Sequence, residues 1–483
     1  MLNNQYISFF LVVILSLIIS LQYDHFLLNF IFIFLLISCI YFSKLFYYFI
    51  SFPIILILFL SKNTLLNYDG FNDGIIISIF ETNTIESIEF IKTLGFKKSA
   101  LFCFILLYSA VLPKFIIFNK KIIFIFLFFI SVSIAYTNYL YKNEKIYSTD
   151  NFLKTLSDFE LSINGLLDFL KNKNIYNYSY NIKNTSRTYT VYVLIIGESV
   201  SKDYMSLYGY PVKTTPFIDR VNKKYVENYV SAAGYTTLSI PRTIAIGNND
   251  IISLAKKSGL KTYWLSNQNV SGFHDSSNTK IALNSNFIYF LNKGKPDDDS
   301  HNDHELLKYF YNALNDNSNK DKLIVLHLRG SHYIFNERLS INAKRFSFQD
   351  KELSDYLATI YQTDHLIENV YSKLKRENIN FSIVYFSDHG LNRKTLKHGQ
   401  DTKDNFDIPF VEISSDFTKT HKLDISQSAY NFMSFFEDWI CVESDRPRSG
   451  NFYDGVPPNT IKVYANGLNK YTDLPTQPIK NAE

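Results

Sequence analysis

Cysteine is nearly absent: Cys39, Cys103 and Cys441 are the only three in 483 residues. The first two lie in apolar stretches and the third stands alone in the rest of the chain. The second part therefore cannot close an internal disulfide, and no CxxC zinc site is possible. An excess of one charge sign is missing too. A formal net charge of +4 over this length, with lysines spread out and no basic arm, gives no footprint for nucleic acid. The first apolar run has no basic n-region and no small-residue cleavage site, so it is expected to be a retained span and not a cleaved signal peptide. No internal repeat is evident.

The residues that are abundant are unevenly placed. Up to about residue 141 the chain is dominated by Phe, Ile, Leu and Tyr; beyond it the composition is that of an ordinary soluble protein. Apolar runs sit at Tyr6–Leu21, Phe26–Phe42, Leu45–Leu60, Ala100–Phe118 and Ile122–Tyr139. Each is short or marginal against the roughly 20 residues needed to cross a bilayer, and Pro113 and Lys114 interrupt the fourth. A soluble helix would need a polar stripe, which these runs almost wholly lack, so five membrane helices are expected. Lys44 in one short loop, and Lys114, Lys120 and Lys121 in another, put those loops in the cytoplasm and the large C-terminal part outside it; Lys97 and Lys98 argue weakly the other way. Ile75–Ile91 and Asn151–Leu170 have the pattern of interfacial or simply amphipathic helices. The expected division is a transmembrane domain over 1–141, a bridging helix and linker over 142–187, and a catalytic domain over 188–483.

From Thr188 onward, short apolar runs alternate with helical stretches such as Asp355–Leu374. TVYVLIIG, LKTYWLS, KLIVLHL and FSIVYFSDHG read as buried parallel strands, which predicts an α/β sandwich with a mostly parallel sheet. Sites in such sheets form at the carboxyl ends of strands. Asp297–Asp299 marks an exposed loop.

Three of these strands end in groups able to bind a metal. The first ends in Gly197-Glu198-Ser199, the third runs through His327 to His332, and the fourth ends in Asp388-His389-Gly390 with His398 close behind. Carboxylates and imidazoles together suit zinc. Singly, each has an ordinary explanation: a cap, a turn, a satisfied core histidine. Gathered at successive strand ends, they point to a metal site.

The stretch LIIGESVSKDYMSLYGYPVKTTPFID (194–219) resembles the opening motif of bacterial phosphoethanolamine transferases, which have a sulfatase-like, alkaline-phosphatase-type fold. GLKTYWLSNQ (259–268), KLIVLHLRGSH (322–332), VYFSDHG (384–390) and DNFDIPF (404–410) continue it in family order, and five spans ahead of the domain match as well. Among subgroups, the chain is most similar to the enzymes that modify lipopolysaccharide core sugars. The resemblance implies zinc held by Glu198, Asp388, His389 and the nucleophile, which falls on Thr236 in SAAGYTTLSIPRT (231–243), with Thr237 adjacent. It implies that His332 and His398 contact phosphate and aid the leaving group, and that His327 and Asn267 lie on the substrate side. It further implies phosphatidylethanolamine as donor, lipid A, lipopolysaccharide core or another envelope glycan as acceptor, and an inner-membrane location with the catalytic domain in the periplasm.

The chemistry suits these residue types. A threonine hydroxyl is a poor nucleophile near neutral pH, and a cation beside it lowers the cost of losing its proton. A helix N-terminus favours the phosphate's charge, and an imidazole can protonate a departing oxygen. Thr236 would also serve as a plain helix cap. Ala232 and Arg242 occupy positions where many relatives carry bracing cysteines. The competing expectations are a phosphoglycerol transferase or a phosphate or sulfate ester hydrolase of the same fold, or a non-catalytic membrane scaffold.

Overall fold

The computed structural model describes residues 2–63 with breaks at 22–25 and 42, then 100–114 except 102, and isolated positions at 159, 160 and 163. It also describes 181–482 apart from 247–248, 269–276, 293–300, 318–320, 447–449 and 466. The chain divides into two compact units, one of Met1–Ile75 with Phe90–Gly165 and one of Ile76–Glu89 with Leu166–Glu483.

The first unit holds α1 (Leu2–Ser20), α2 (Phe26–Ser38) and α3 (Phe52–Asn63). Val12, Leu15 and Ile19 of α1 bury against a cluster that includes Ile33, Phe34 and Ile37 of α2, Ile55 and Leu58 of α3, and Ile105. The second expected span is cut short, because α2 gives way at Cys39–Tyr41 to a tighter 3₁₀ turn. Its 13 residues rise only about 20 Å, against the ~30 Å of a bilayer core. The third carries a π-helical turn at Tyr47–Ser51 that runs directly into α3. The described part of the fourth ends in a 3₁₀ turn at Leu112–Lys114, where Pro113 removes a backbone donor. No described helix is long and apolar enough to cross a membrane. The fifth expected span, the segment at Ile75–Ile91, nearly all of that at Asn151–Leu170 and the loop at Asp297–Asp299 lie outside the described residues.

The second unit is built on one nine-stranded sheet. Its strands are β1 (Val191–Gly197), β2 (Lys224–Val230), β3 (Lys261–Ser266), β4 (Phe287–Phe290), β5 (Lys322–His327), β6 (Phe381–Ser387), β7 (Asp407–Ile408), β8 (Phe410–Ser414) and β9 (His421–Ser428). The order across the sheet is β7-β2-β8-β6-β1-β5-β3-β4, with β9 beside β2. β4, β3, β5, β1 and β6 run parallel, and β3, β5, β1 and β6 are the four apolar runs. β8 turns the other way against β6, and β2 against β8.

β1 lies at the centre with all seven residues buried. Its alternate side chains serve two cores, as the period of a strand requires. Val191, Val193 and Ile195 join Leu353, Tyr356, Leu357 and Ile360 of α6 (Lys351–Arg376) on one face, along with Phe310 of α5 (Leu306–Asn315). Tyr192, Leu194 and Ile196 join Ile240 and Ile244 of α4 (Thr236–Ile244) and Phe432, Phe436 and Trp439 of α7 (Phe432–Trp439) on the other. Each such aliphatic side chain contributes on the order of 1.5–3 kcal/mol by burial, so the sheet is a rigid base for whatever its edges carry. In register, Ile196 pairs with His327 and Gly197 with Ser387, which brings the ends of β5, β1 and β6 to one level.

Candidate active site

Glu198 leaves the end of β1 and is 1% exposed; Asp388 and His389 leave the end of β6 and are buried beside it. Ser199 turns the chain sharply, in the left-handed region at φ 60°. A non-glycine residue there costs of order 1–3 kcal/mol, and local bonds hold it. Ser199 N–H donates to Asp388 Oδ1 (3.0 Å) and its hydroxyl donates to Glu198 Oε1 (2.6 Å). His389 Nδ1 donates to the Gly390 carbonyl (2.9 Å), which turns Nε2 toward the carboxylates. Nε2 lies 3.4 Å from both Glu198 Oε1 and Asp388 Oδ2.

These three residues are the one group of three or more among the described His, Cys, Asp and Glu side chains whose ligand atoms lie within 4.8 Å of one another. Their protonation reflects crowding. Burial works to raise Glu198, but the hydrogen bond and charge of His389, with help from His332 and His398, hold it well below the usual carboxylate range. Burial and then the charge of Glu198 push Asp388 up to about 7. Burial would lower His389, yet Asp388 and Glu198 raise it to about 9. The two carboxylates thus need positive charge between them. Asp388 Oδ2 is buried and accepts no hydrogen bond. Two carboxylates, one of them with a buried oxygen that accepts no hydrogen bond, and an imidazole nitrogen fit a divalent cation such as zinc.

Thr236 is the first residue of α4, and its hydroxyl donates to Glu198 Oε2 (3.0 Å) and lies 3.3 Å from His389 Nε2. The cap position belongs to Tyr235, which makes no side-chain cap bond. The Thr236 hydroxyl is therefore turned to the metal-binding set and not to the helix backbone. The hydroxyl of Thr237 is buried without a partner. Ser239, one turn on, ties the helix to the site by donating to the Asp388 carbonyl (2.6 Å).

Two further imidazoles close one side. The His398 ring centroid is 4.9 Å from that of His389 and 5.6 Å from that of His332, and His398 stacks on Tyr235 at 6.0 Å. Burial first, then the charges of His389 and His332, hold His398 well below the ordinary histidine range, so it is neutral near pH 7. His332 Nδ1 donates to the Tyr333 carbonyl (2.6 Å). His327 is buried at the end of β5, edge-on to Trp264 at 5.6 Å, and burial lowers it to about 4. Its Nε2 has no hydrogen-bond partner.

Asn267, expected on the substrate side, is instead part of the scaffold. Its amide donates to Asp303 Oδ1 (2.8 Å) and to the His301 carbonyl (3.0 Å), and its Oδ1 accepts from Asn292 (3.0 Å). The neighbouring Gln268 reaches the site, donating to Glu198 Oε2 (3.0 Å) and to the Leu328 carbonyl (2.9 Å). Strand alternation is the reason: just past β3, successive side chains take opposite directions.

Gly234 packs its backbone against the loop that carries His398. A Cβ there would lie 1.9 Å from the Gly399 carbonyl oxygen. Gly234→Ala should therefore push that loop away, with a loss of about 1–3 kcal/mol in denaturant unfolding and a clear fall in turnover. Wild-type values for both would contradict the packing.

The family model described as Sulfatase matches residues 190–440. The Escherichia coli K12 protein named phosphoethanolamine transferase OpgE is 34% identical over 271 residues, covering 53% of this chain and 51% of that one. The chain thus spans about half the length of this relative. The E. coli K12 phosphoethanolamine transferase EptC is 26% identical over 458 residues, covering 81% and 78%. The crystal structure of the C-terminal periplasmic domain of E. coli EptC in complex with Zn matches with a TM-score of 0.53 at 23% identity, over 62% of this chain and 97% of that one. The integral membrane lipooligosaccharide phosphoethanolamine transferase A (EptA) of Neisseria meningitidis matches with a TM-score of 0.66 at 16% identity, over 90% and 95%. These two structures share the fold.

Proposed function

The chain belongs to the sulfatase family, and on that premise we propose that it transfers phosphoethanolamine from phosphatidylethanolamine to an envelope glycolipid through a covalent Thr236 ester. The observation that carries this reading is the Thr236 hydroxyl at the start of α4, facing buried Glu198 and His389. The names of OpgE and EptC support phosphoethanolamine as the group moved.

Glu198, Asp388, His389 and Thr236 would hold a zinc ion, and the zinc-bound EptC domain supports that choice of metal. Bound there, the ion would supply positive charge that eases ionisation of a hydroxyl and offsets charge on phosphoryl oxygens. The remaining work falls to the chain. The Thr236 oxygen attacks phosphorus and the bond to the diacylglycerol oxygen breaks. The threonine proton passes toward Glu198 Oε2, 3.0 Å away, and returns to the threonine oxygen when the acceptor displaces it. The N–H groups at the very start of α4 orient the phosphoryl group. His332, whose Nδ1 bonds the Tyr333 carbonyl, would protonate the departing diacylglycerol oxygen through Nε2, and His398, neutral near pH 7, would take the proton of the acceptor hydroxyl, whose attack on phosphorus frees Thr236. Gln268 steadies Glu198 throughout. The apolar runs and loop lysines support an inner-membrane protein with this domain in the periplasm, where phospholipid donor and lipid A or lipopolysaccharide core acceptor meet.

The test is donor choice. The purified full chain should release diacylglycerol from phosphatidylethanolamine at least about 10-fold faster than from phosphatidylglycerol, and should not cleave aryl sulfates at a comparable rate. Preference for phosphatidylglycerol would make it a phosphoglycerol transferase, and rapid sulfate cleavage would make it a hydrolase.

A further inference from the structure

Away from the metal-binding set, two other histidines face each other. His304 lies in the 3₁₀ turn Asp303–Glu305, which Asn302 caps, and His365 lies on α6. His304 Nε2 is 3.1 Å from His365 Nδ1, with the rings 28° from parallel.

The proton on the His304 ring follows from its neighbours. Asn302 Nδ2 donates to the Arg338 carbonyl (2.8 Å), which fixes the amide and leaves Oδ1 as the atom facing His304. That oxygen accepts from His304 N–H (3.1 Å) and lies 3.1 Å from His304 Nδ1. Nδ1 therefore carries the proton and Nε2 a lone pair. On the other ring, Asn369 Nδ2 is held by the His365 carbonyl (2.8 Å) and, at 3.4 Å from His365 Nδ1, is too far to occupy that nitrogen's lone pair strongly. In the tautomer with its proton on Nε2, His365 presents a second lone pair across the gap, and a cation near both nitrogens holds the two rings together. The spacing suits one: two imidazoles bound to the same ion at about 2.0–2.1 Å place their nitrogens roughly 2.9–3.4 Å apart.

We propose that His304 and His365 form a two-imidazole site for a divalent transition cation, separate from the Glu198, Asp388 and His389 set. Imidazole pairs favour copper, nickel and zinc over magnesium and calcium. Asn302 plays the part of the outer oxygen that fixes a ligand ring. A cation here would pin the turn to α6. Asp303 in that turn accepts from the backbone N–H groups of Arg329 (2.9 Å) and Gly330 (2.9 Å), in the loop that leads to His332.

The site can be tested independently of the transfer reaction. The full chain, with its first site filled with zinc, is titrated with Cu²⁺ and followed by electron paramagnetic resonance. About one further Cu²⁺ per chain should bind, with coupling to two imidazole nitrogens. His365→Ala should weaken that binding by about 10-fold or more and remove the two-nitrogen pattern, while zinc content and circular dichroism stay unchanged. His304→Ala should give the same spectral loss. Retention of the two-nitrogen signal in both variants, or no Cu²⁺ binding beyond that of the double variant, would overturn the proposal and leave the pair as an imidazole–imidazole hydrogen bond.

Discussion

Thr236→Ala should lower turnover by about 10³-fold or more, because it removes the atom proposed to form the covalent bond while leaving the metal-binding carboxylates in place. The loss should be confined to chemistry. The Thr236 hydroxyl bonds to Glu198 and does not cap α4, so its removal takes away a functional contact and no helix-terminal one. The unfolding midpoint should stay near that of the wild type, and phospholipid binding should change little. Thr236→Ser, which keeps a hydroxyl, should retain measurable transfer. Thr237→Ala should be nearly silent, since the Thr237 hydroxyl has no hydrogen-bond partner to lose. Kinetics of the three purified variants, beside their unfolding midpoints and phospholipid binding, would check these expectations, and near-normal turnover by Thr236→Ala would remove Thr236 as nucleophile.

Asp388→Asn should abolish tight metal binding and reduce transfer by about 10²-fold or more. The amide keeps an acceptor for the Ser199 and His389 N–H groups that Asp388 Oδ1 now holds. What it removes is one of two negative charges, on the oxygen that accepts no hydrogen bond within the protein. A chelator should produce the same loss in the wild type, and added zinc should restore it there but not in the variant. Elemental analysis beside activity is the check. Full activity in rigorously metal-free protein would remove the metal from the mechanism.

Much of this site was legible in the chain. The four apolar runs read as buried strands, and parallel strands put Glu198, His327 and Asp388 at one end of the sheet. The antiparallel flank was not legible, because β2 mixes Lys224, Glu227 and Asn228 with its apolar residues and lacks a continuous run. Gln268 was missed for a different reason. It sits beside Asn267 in the same short motif, and only the path of the chain after Ser266 decides which amide turns to Glu198 and which to Asp303. Thr236 and Thr237 likewise could not be separated by composition, since both open the same helix; their rotation about its axis separates them. Among the described residues of the first unit, hydropathy marked where helices lie but not where they stop. The endings at Cys39–Tyr41 and Leu112–Lys114 are local changes of hydrogen bonding that an average over apolar residues does not register.

The most direct measurement is the intact mass of the full chain incubated with phosphatidylethanolamine and no acceptor, followed by peptide mapping. The mass should rise by one phosphoethanolamine group, the adduct should map to Thr236, and addition of a lipid A or lipopolysaccharide-core acceptor should discharge it. No adduct in zinc-loaded, turnover-competent protein, or an adduct on a residue other than Thr236, would contradict the covalent threonine mechanism.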